Sequence, residues 1–157
     1  MNNKDLLEQL MNQEQELQFE TFSIDAAHAI GLSIMETAKA ASHPVAIDIT
    51  RHGQQLFHVA LEGATADNDA WIKRKSNLVN RVCHSSYLMS TKLTISGKTI
   101  EESLLLSEAE FAPHGGSFPI IIKDTGVIGT ITVSGLASAD DHTLVVDAIR
   151  EYLNIKG

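Results

Sequence analysis

Cysteine is almost missing from this 157-residue chain. The single one, Cys83, excludes an internal disulfide, and a metal site built on cysteine alone would need a second chain. Basic residues are also short: 12 Lys and Arg stand against 20 Asp and Glu, for a net charge of −8. That balance excludes broad nucleic-acid binding and attraction to an anionic membrane, leaving room only for a local basic patch. Long apolar runs are missing too, since none approaches the roughly 20 residues of a spanning helix. The opening MNNKDLLEQLMNQEQEL lacks the apolar core of a signal peptide. There is no repeat, no low-complexity tract and no linker rich in Pro, Gly or Ser. The expectation is one soluble, cytoplasmic domain over residues 1–157, with residues 1–20 as a polar N-terminal helix. A chain of this length buries about 68–70% of its unfolded surface, so it folds without staples.

What is present has a clear order. Lys4–Gln18 reads as a polar helix capped by Asn3, with a thin stripe of leucines and Met11. Ser23 caps a second helix running to about Ser42, in which Ala27, Ile30, Gly31, Ile34, Ala38 and Ala41 share a face small enough to approach a sheet closely. His43-Pro44 stops it. Val45–Arg51 alternates Val45, Ile47 and Ile49 against Ala46, Asp48 and Thr50, and His52-Gly53 turns it into Gln55–Leu61. A helix capped by Asp67 or Asn68 continues to about Ser85. Tyr87–Glu110 gives no single reading beyond a helical turn at Thr99–Leu106. Gly115–Ile122 is an apolar strand whose Pro119 points to an edge or a bulge, and Asp124-Thr-Gly126 turns it into Val127–Ser134. Gly135–Asp140 is a loop, and Asp140 or Asp141 caps the last helix. Two hairpins in separate halves make an antiparallel sheet flanked by helices, an α+β arrangement of the broad α/β class.

Three segments carry candidate chemistry. In Asn68–His84 the apolar arc of Trp71, Ile72, Leu78, Val79 and Val82 contains Lys75, with Arg74 and Arg81 beside it. A lysine among buried positions must snorkel, pair with a carboxylate or face a cavity. Either an anion pocket or a structural ion pair or subunit contact satisfies that. In Pro113–Pro119 the pair Gly115-Gly116 lets a ligand approach the main chain, and His114 stands at the strand entrance beside Phe118. In Val133–His142 the Ser134-Gly135 turn leads to a helix start whose amides can meet an anion, next to His142. The seven histidines show no paired ligand spacing; Cys83 or His84 with His114 and His142 is the one sequence-distant metal set to consider. Ser85, Ser86 and Ser134 lack the GxSxG elbow of a nucleophile.

Asp67–Ser86, Pro44–Leu61, His114–Ile120 and Gly126–His142 together resemble uncharacterised protein family 0303. More distantly the chain is similar to the GlcG/HbpS-like superfamily of haem-degrading domains, through Gly-Gly-x-x-Pro at Gly115–Pro119, Gly-x-x-Gly-x-x-x-Val-Ser-Gly at Gly126–Gly135 and the acid at Asp140 or Asp141. The resemblance implies a profilin-like sandwich, a homo-oligomer (a dimer or a ring of dimers) and, in some members, haem or another tetrapyrrole. It assigns no histidine here as a haem ligand. Residues and resemblance together predict an oligomeric module for a small anionic ligand, a tetrapyrrole or an organic acid. Its site would gather Trp71, Arg74, Lys75, His114, Gly115, Gly116, Phe118, Ser134, Gly135 and His142. The competing readings are an enzyme using His114 or His142 as base, with or without a metal, and a scaffold that presents the N-terminal helix to a protein partner.

Overall fold

The computed structural model describes residues 1–155. Asn2 accepts from the Asp5 N–H at 2.9 Å and opens α1 (Asn3–Glu16), one residue earlier than expected. Ser23 caps α2 (Ile24–Ala40) through the Ala26 N–H at 3.0 Å. The hairpin of β1 (Ala46–Arg51) and β2 (Gln54–Ala60) turns at His52 and Gly53, both with positive φ (51° and 76°), the geometry that matches strand twist. Next comes α3 (Ala66–Val82), whose cap is Thr65 rather than Asp67 or Asn68. Asn68 instead accepts from the Thr65 N–H at 2.9 Å. The unassigned stretch forms α4 (Ser86–Ser96) and the short α5 (Ile100–Leu104), capped by Ser85 and Thr99. A second hairpin, β3 (Ser117–Ile122) and β4 (Gly126–Ser134), leads to α6 (Ser138–Tyr152). The last helix begins before the acids expected to cap it; Ala137 holds the N-cap position.

The four strands form one antiparallel sheet in the order β2-β1-β4-β3, so the two hairpins join along β1 and β4. Pro119 lies in the edge strand β3, where its missing donor is tolerated; it stays in register opposite Thr130, and the register slips one residue later, between Ile120 and Ile121. That edge is partly covered: the Phe19 N–H donates to the Ile121 carbonyl at 2.8 Å, and the Lys123 N–H to the Phe19 carbonyl at 2.9 Å.

Strand alternation splits the sheet into two unlike faces. Ile47, Ile49, Phe118, Ile120, Ile131 and Val133 point toward α2 and α6 and make the main core. Asp48, Thr50, Thr130, Thr132 and Ser117 point the other way, toward α3. A second apolar cluster, including Leu10, Leu78, Leu88 and Leu93, ties α1, α3 and α4 together. Among the described residues no helix is long and apolar enough to cross a membrane. The small face of α2 packs as expected except for Ala41, which is exposed at the helix end. A Cβ on Gly31 would stand 2.5 Å from the Phe57 ring, so the missing side chain is what lets β2 seat its aromatic. Gly31→Val is therefore expected to destabilise the protein by about 1–3 kcal/mol, despite its better side-chain burial, when unfolding is followed in urea.

Candidate functional site

Lys75 organises this region. It is 2% exposed, and its ammonium donates to the Val133 carbonyl at 2.7 Å, the Gly115 carbonyl at 3.0 Å and Asp141 Oδ2 at 3.4 Å. Three donors meet three acceptors, from the end of β4, the entrance to β3 and the first turn of α6. Asp141 is equally buried, and it also accepts from the Leu136 N–H at 2.9 Å and the Gly135 N–H at 3.3 Å. The acid expected to cap its own helix instead reaches back and fixes the preceding turn. Burial pushes the Lys75 ammonium below its ordinary range and the Asp141 carboxyl above its own, against the attraction between them. The paired glycines serve this contact. A Cβ on Gly115 would collide with the Ser138 carbonyl, and one on Gly116 (φ +136°) with the Val133 carbonyl and the Lys75 ammonium.

Beside the pair lies a cavity of about 370 Å³. Six of the ten expected site residues line it: Trp71, Lys75, His114, Gly115, Ser134 and Gly135. The His114 ring stands edge-on to Trp71 at 5.3 Å between centroids, half-exposed, with Nε2 3.8 Å from Glu108 Oε1. Asp67, Asn68 and the Leu136–Ser138 segment complete the wall. The Leu136–Ser138 segment belongs to the helix start that the sequence marks for an anion, whereas Asp67 and Asn68 carry no ligand signal and arrive because α3 also starts at this rim. No side chain caps α6; the Asp140 and Asp141 N–H groups donate to the Ala137 carbonyl at 2.9 and 3.0 Å, and the Ser138 and Ala139 N–H groups remain available at the wall formed by Ala137 and Ser138.

The other four expected residues stay out of the cavity. Arg74 lies over Trp71, 4.4 Å from the ring centroid, and its Nε donates to the Glu108 carbonyl at 3.1 Å, so it braces the indole instead of lining the site. Gly116 is buried against the Lys75 ammonium. Phe118 is fully buried because its register opposite Ile131 places it on the apolar face of the sheet. His142 follows Asp141 by one residue, about 100° around α6, and that turn points it into the core, 3% exposed, between Tyr87 and Phe118. Its Nε2 bonds Gln13 Oε1 at 2.8 Å and its Nδ1 has no partner. Burial lowers its pKa to about 4. A general base buried this way meets no substrate, which removes His142 from the enzyme reading.

The sequence-distant metal set does not assemble. His84 Nδ1 is 2.6 Å from Glu14 Oε1, whose hydrogen bond raises the imidazole pKa. Cys83 is exposed, and His114 and His142 lie in different places. Among the described residues no group of three or more His, Cys, Asp and Glu is placed to hold a metal. The N-terminal helix is not a free surface either. Leu10, Gln13 and Glu14 are buried, Glu14 accepts from the Ser85 N–H at 3.0 Å, and Glu16 pairs with Arg150 at 3.0 Å. Removing it would strip part of the fold, so the scaffold reading loses the detachable element it relied on.

Comparison with known proteins places this geometry among relatives. Residues 22–150 match the model of the family described as haem degrading protein HbpS-like. The UPF0303 protein SCO2848 of Streptomyces coelicolor is 47% identical over 145 residues, covering 92% of each chain. The crystal structure of Ybr137w protein superposes with a TM-score of 0.87 at 33% identity, over 94% of this chain and 87% of that one. A structure described as the PduOC:heme complex superposes with a TM-score of 0.67 at 19% identity, over 81% of this chain and 91% of the other, a likeness of fold.

Two outcomes test the site's construction. Lys75→Met leaves Asp141 buried without its cation and is expected to cost about 3–5 kcal/mol in urea unfolding, with part of the loss recovered when Asp141→Asn is added. His142 titrates near 4 in the folded chain against 6.5 for an ordinary histidine, so the unfolded chain holds the extra proton between those values. Its contribution is complete above about pH 6.5 and falls by about 3 kcal/mol toward pH 4. His84, raised by Glu14, acts in the opposite sense and loses its contribution as pH rises through its folded value. The urea midpoint should therefore drop between pH 7 and 4.5, and His142→Gln should flatten that slope; an unchanged slope refutes the assignment.

Proposed function

Because the chain belongs to the HbpS-like family of haem-degrading proteins, we propose that it is a single-domain ligand-binding module, assembled with copies of itself. The cavity beside Trp71 and His114 would take an anionic small molecule, a tetrapyrrole or an organic acid. The observation that carries this reading is the position of His114. It lines the 370 Å³ cavity and also a neighbouring one of about 400 Å³ that contains Lys98. A half-exposed imidazole with an indole at its edge, two adjoining cavities and uncapped helix amides form a donor set for a flat body with acidic ends.

Haem fits this donor set. His114 Nε2 would hold its iron, Trp71 would face its apolar body, and Lys98 and the first turn of α6 would meet its carboxylates. Bound there, haem would supply a redox-active iron. The chain's own residues orient the ligand and exclude water from one side of it. The PduOC structure was solved as a heme complex, which supports considering the same ligand here. Exposed Ile24 and Leu32 on α2 support self-association.

Haemin titration followed by visible absorbance, with calorimetry on acetate, succinate and benzoate, tests the reading. Saturable binding at micromolar concentration is expected for haemin or for one acid. His114→Ala should weaken haemin by about tenfold or more, equivalent to about 1.4 kcal/mol. Trp71→Ala should weaken either ligand. No saturation with any of them sinks the proposal. Light scattering that finds only monomers sinks its oligomeric part.

A further inference from the structure

A second cleft lies on the other flank of α3, and nothing above uses it. It holds about 440 Å³ between that helix and the polar face of the sheet. Its floor is unusual in two ways. Asp48 is 7% exposed, and its carboxylate accepts only from neutral groups, Thr50 Oγ1 at 2.7 Å and Gln55 Nε2 at 2.6 Å. A carboxylate has about four acceptor sites, so two stay open, and among the described residues no ion pair reaches it. The imidazole on the neighbouring strand is already engaged: His58 Nε2 lies 2.7 Å from Asp69 Oδ1, bridging β2 to α3. Thr130, opposite Thr50 in the β1–β4 pair, is 1% exposed, lines the same cleft, and its hydroxyl has no partner. Buried carboxylates are normally compensated by positive charge and buried hydroxyls by an acceptor. Here each lacks its complement, and both residues line one space.

The third element is Lys73, an exposed cation lining this cleft and engaged in no ion pair among the described residues. We propose that this cleft binds a small zwitterion of the amino-acid class. The ligand's ammonium sits on the open acceptor sites of Asp48, and its carboxylate accepts from the Thr130 hydroxyl and pairs with Lys73. His58 and Asp69 bond one another, which leaves Asp48 and Lys73 as the open negative and the open positive group of the cleft, and a ligand with separated charges matches the two. A simple anion would leave Asp48 uncompensated, and a simple cation would meet Lys73. The site is separate from the one beside His114, which lies on the Trp71 and Lys75 flank of the helix.

The test is calorimetry and thermal-shift measurement with glycine, L-serine and L-glutamine at millimolar concentration, and with acetate and glycinamide as probes lacking one charge. Saturable binding of at least one amino acid is expected, with affinity about tenfold lower or worse for acetate and glycinamide. Asp48→Asn and Thr130→Val should abolish it, while His114→Ala should leave it unchanged, which separates this site from the proposed haem cavity. If Asp48→Asn does not fold by circular dichroism, Lys73→Ala at the exposed rim replaces it and should weaken the amino acid at least fivefold. Absence of saturation with all three amino acids overturns the proposal. So does equal binding of acetate, and so does binding that survives all these cleft substitutions.

Discussion

The arrangement of both flanks of α3 depends on one buried ammonium. Taking Lys75 out of water carries a large desolvation penalty, and the fold offsets it by presenting three oxygens from three separate elements. An ion pair buried this deeply is weak evidence for net stability, since apolar residues of similar size often do as well. Its stronger consequence is geometric. The end of β4, the entrance to β3 and the start of α6 cannot shift independently without leaving a charge unmet. Asp141 extends the constraint by holding the amides of Gly135 and Leu136. The cavity wall is built from the turn so held.

The two faces of the sheet respond differently to that anchor. Toward α2 and α6 the sheet is ordinary core, and its glycine at position 31 marks where an aromatic needed the space. Toward α3 the strands present a carboxylate and hydroxyls. Some of these satisfy each other: Ser117 Oγ and Thr132 Oγ1 lie 2.9 Å apart, and Ser86 Oγ accepts from the Ser117 N–H at 3.0 Å. Others do not: Thr130, on β4 between Thr50 of β1 and Pro119 of β3, leaves its hydroxyl without a partner, and it lines the second cleft together with Asp48.

Much of this was legible in the sequence, for definable reasons. Alternation in Val45–Arg51 with a His-Gly turn reads directly as a hairpin, and Pro119 marks an edge because its nitrogen donates nothing. Lys75 inside an apolar arc must snorkel, pair with a carboxylate or face a cavity, and the structure shows it paired with Asp141 at the wall of a cavity. Its partner's identity was not legible, because Asp141 has the local signature of a cap and only the tertiary fold turns it backward. His142 and Phe118 were placed at the site by proximity along the chain. The helical and strand periods rotate them into the core, and an offset of one residue decides the matter. α4 escaped because its apolar residues are spread around the helix, so no single stripe distinguishes it; its burial comes from α1 and α3 on different sides. The polar floor of the second cleft could not be read because Asp48 and Thr130 are distant in sequence and meet only when the hairpins join.

That joining explains why one helix borders two spaces of opposite chemistry. Residues 71 and 75 are four apart and share a flank of α3, while 72, 73 and 76 lie on the adjoining one. With Lys75 fixed from below, the helix cannot roll to close either space at the expense of the other. On the first flank the open groups are the Ser138 and Ala139 N–H donors at the start of α6, an imidazole and an indole. On the second they are a carboxylate without a cation and a hydroxyl without an acceptor. The same anchoring that holds the first cavity open also keeps α3 from settling onto Asp48 and Thr130. Both spaces are therefore properties of the folded chain, set by the depth at which Lys75 is held.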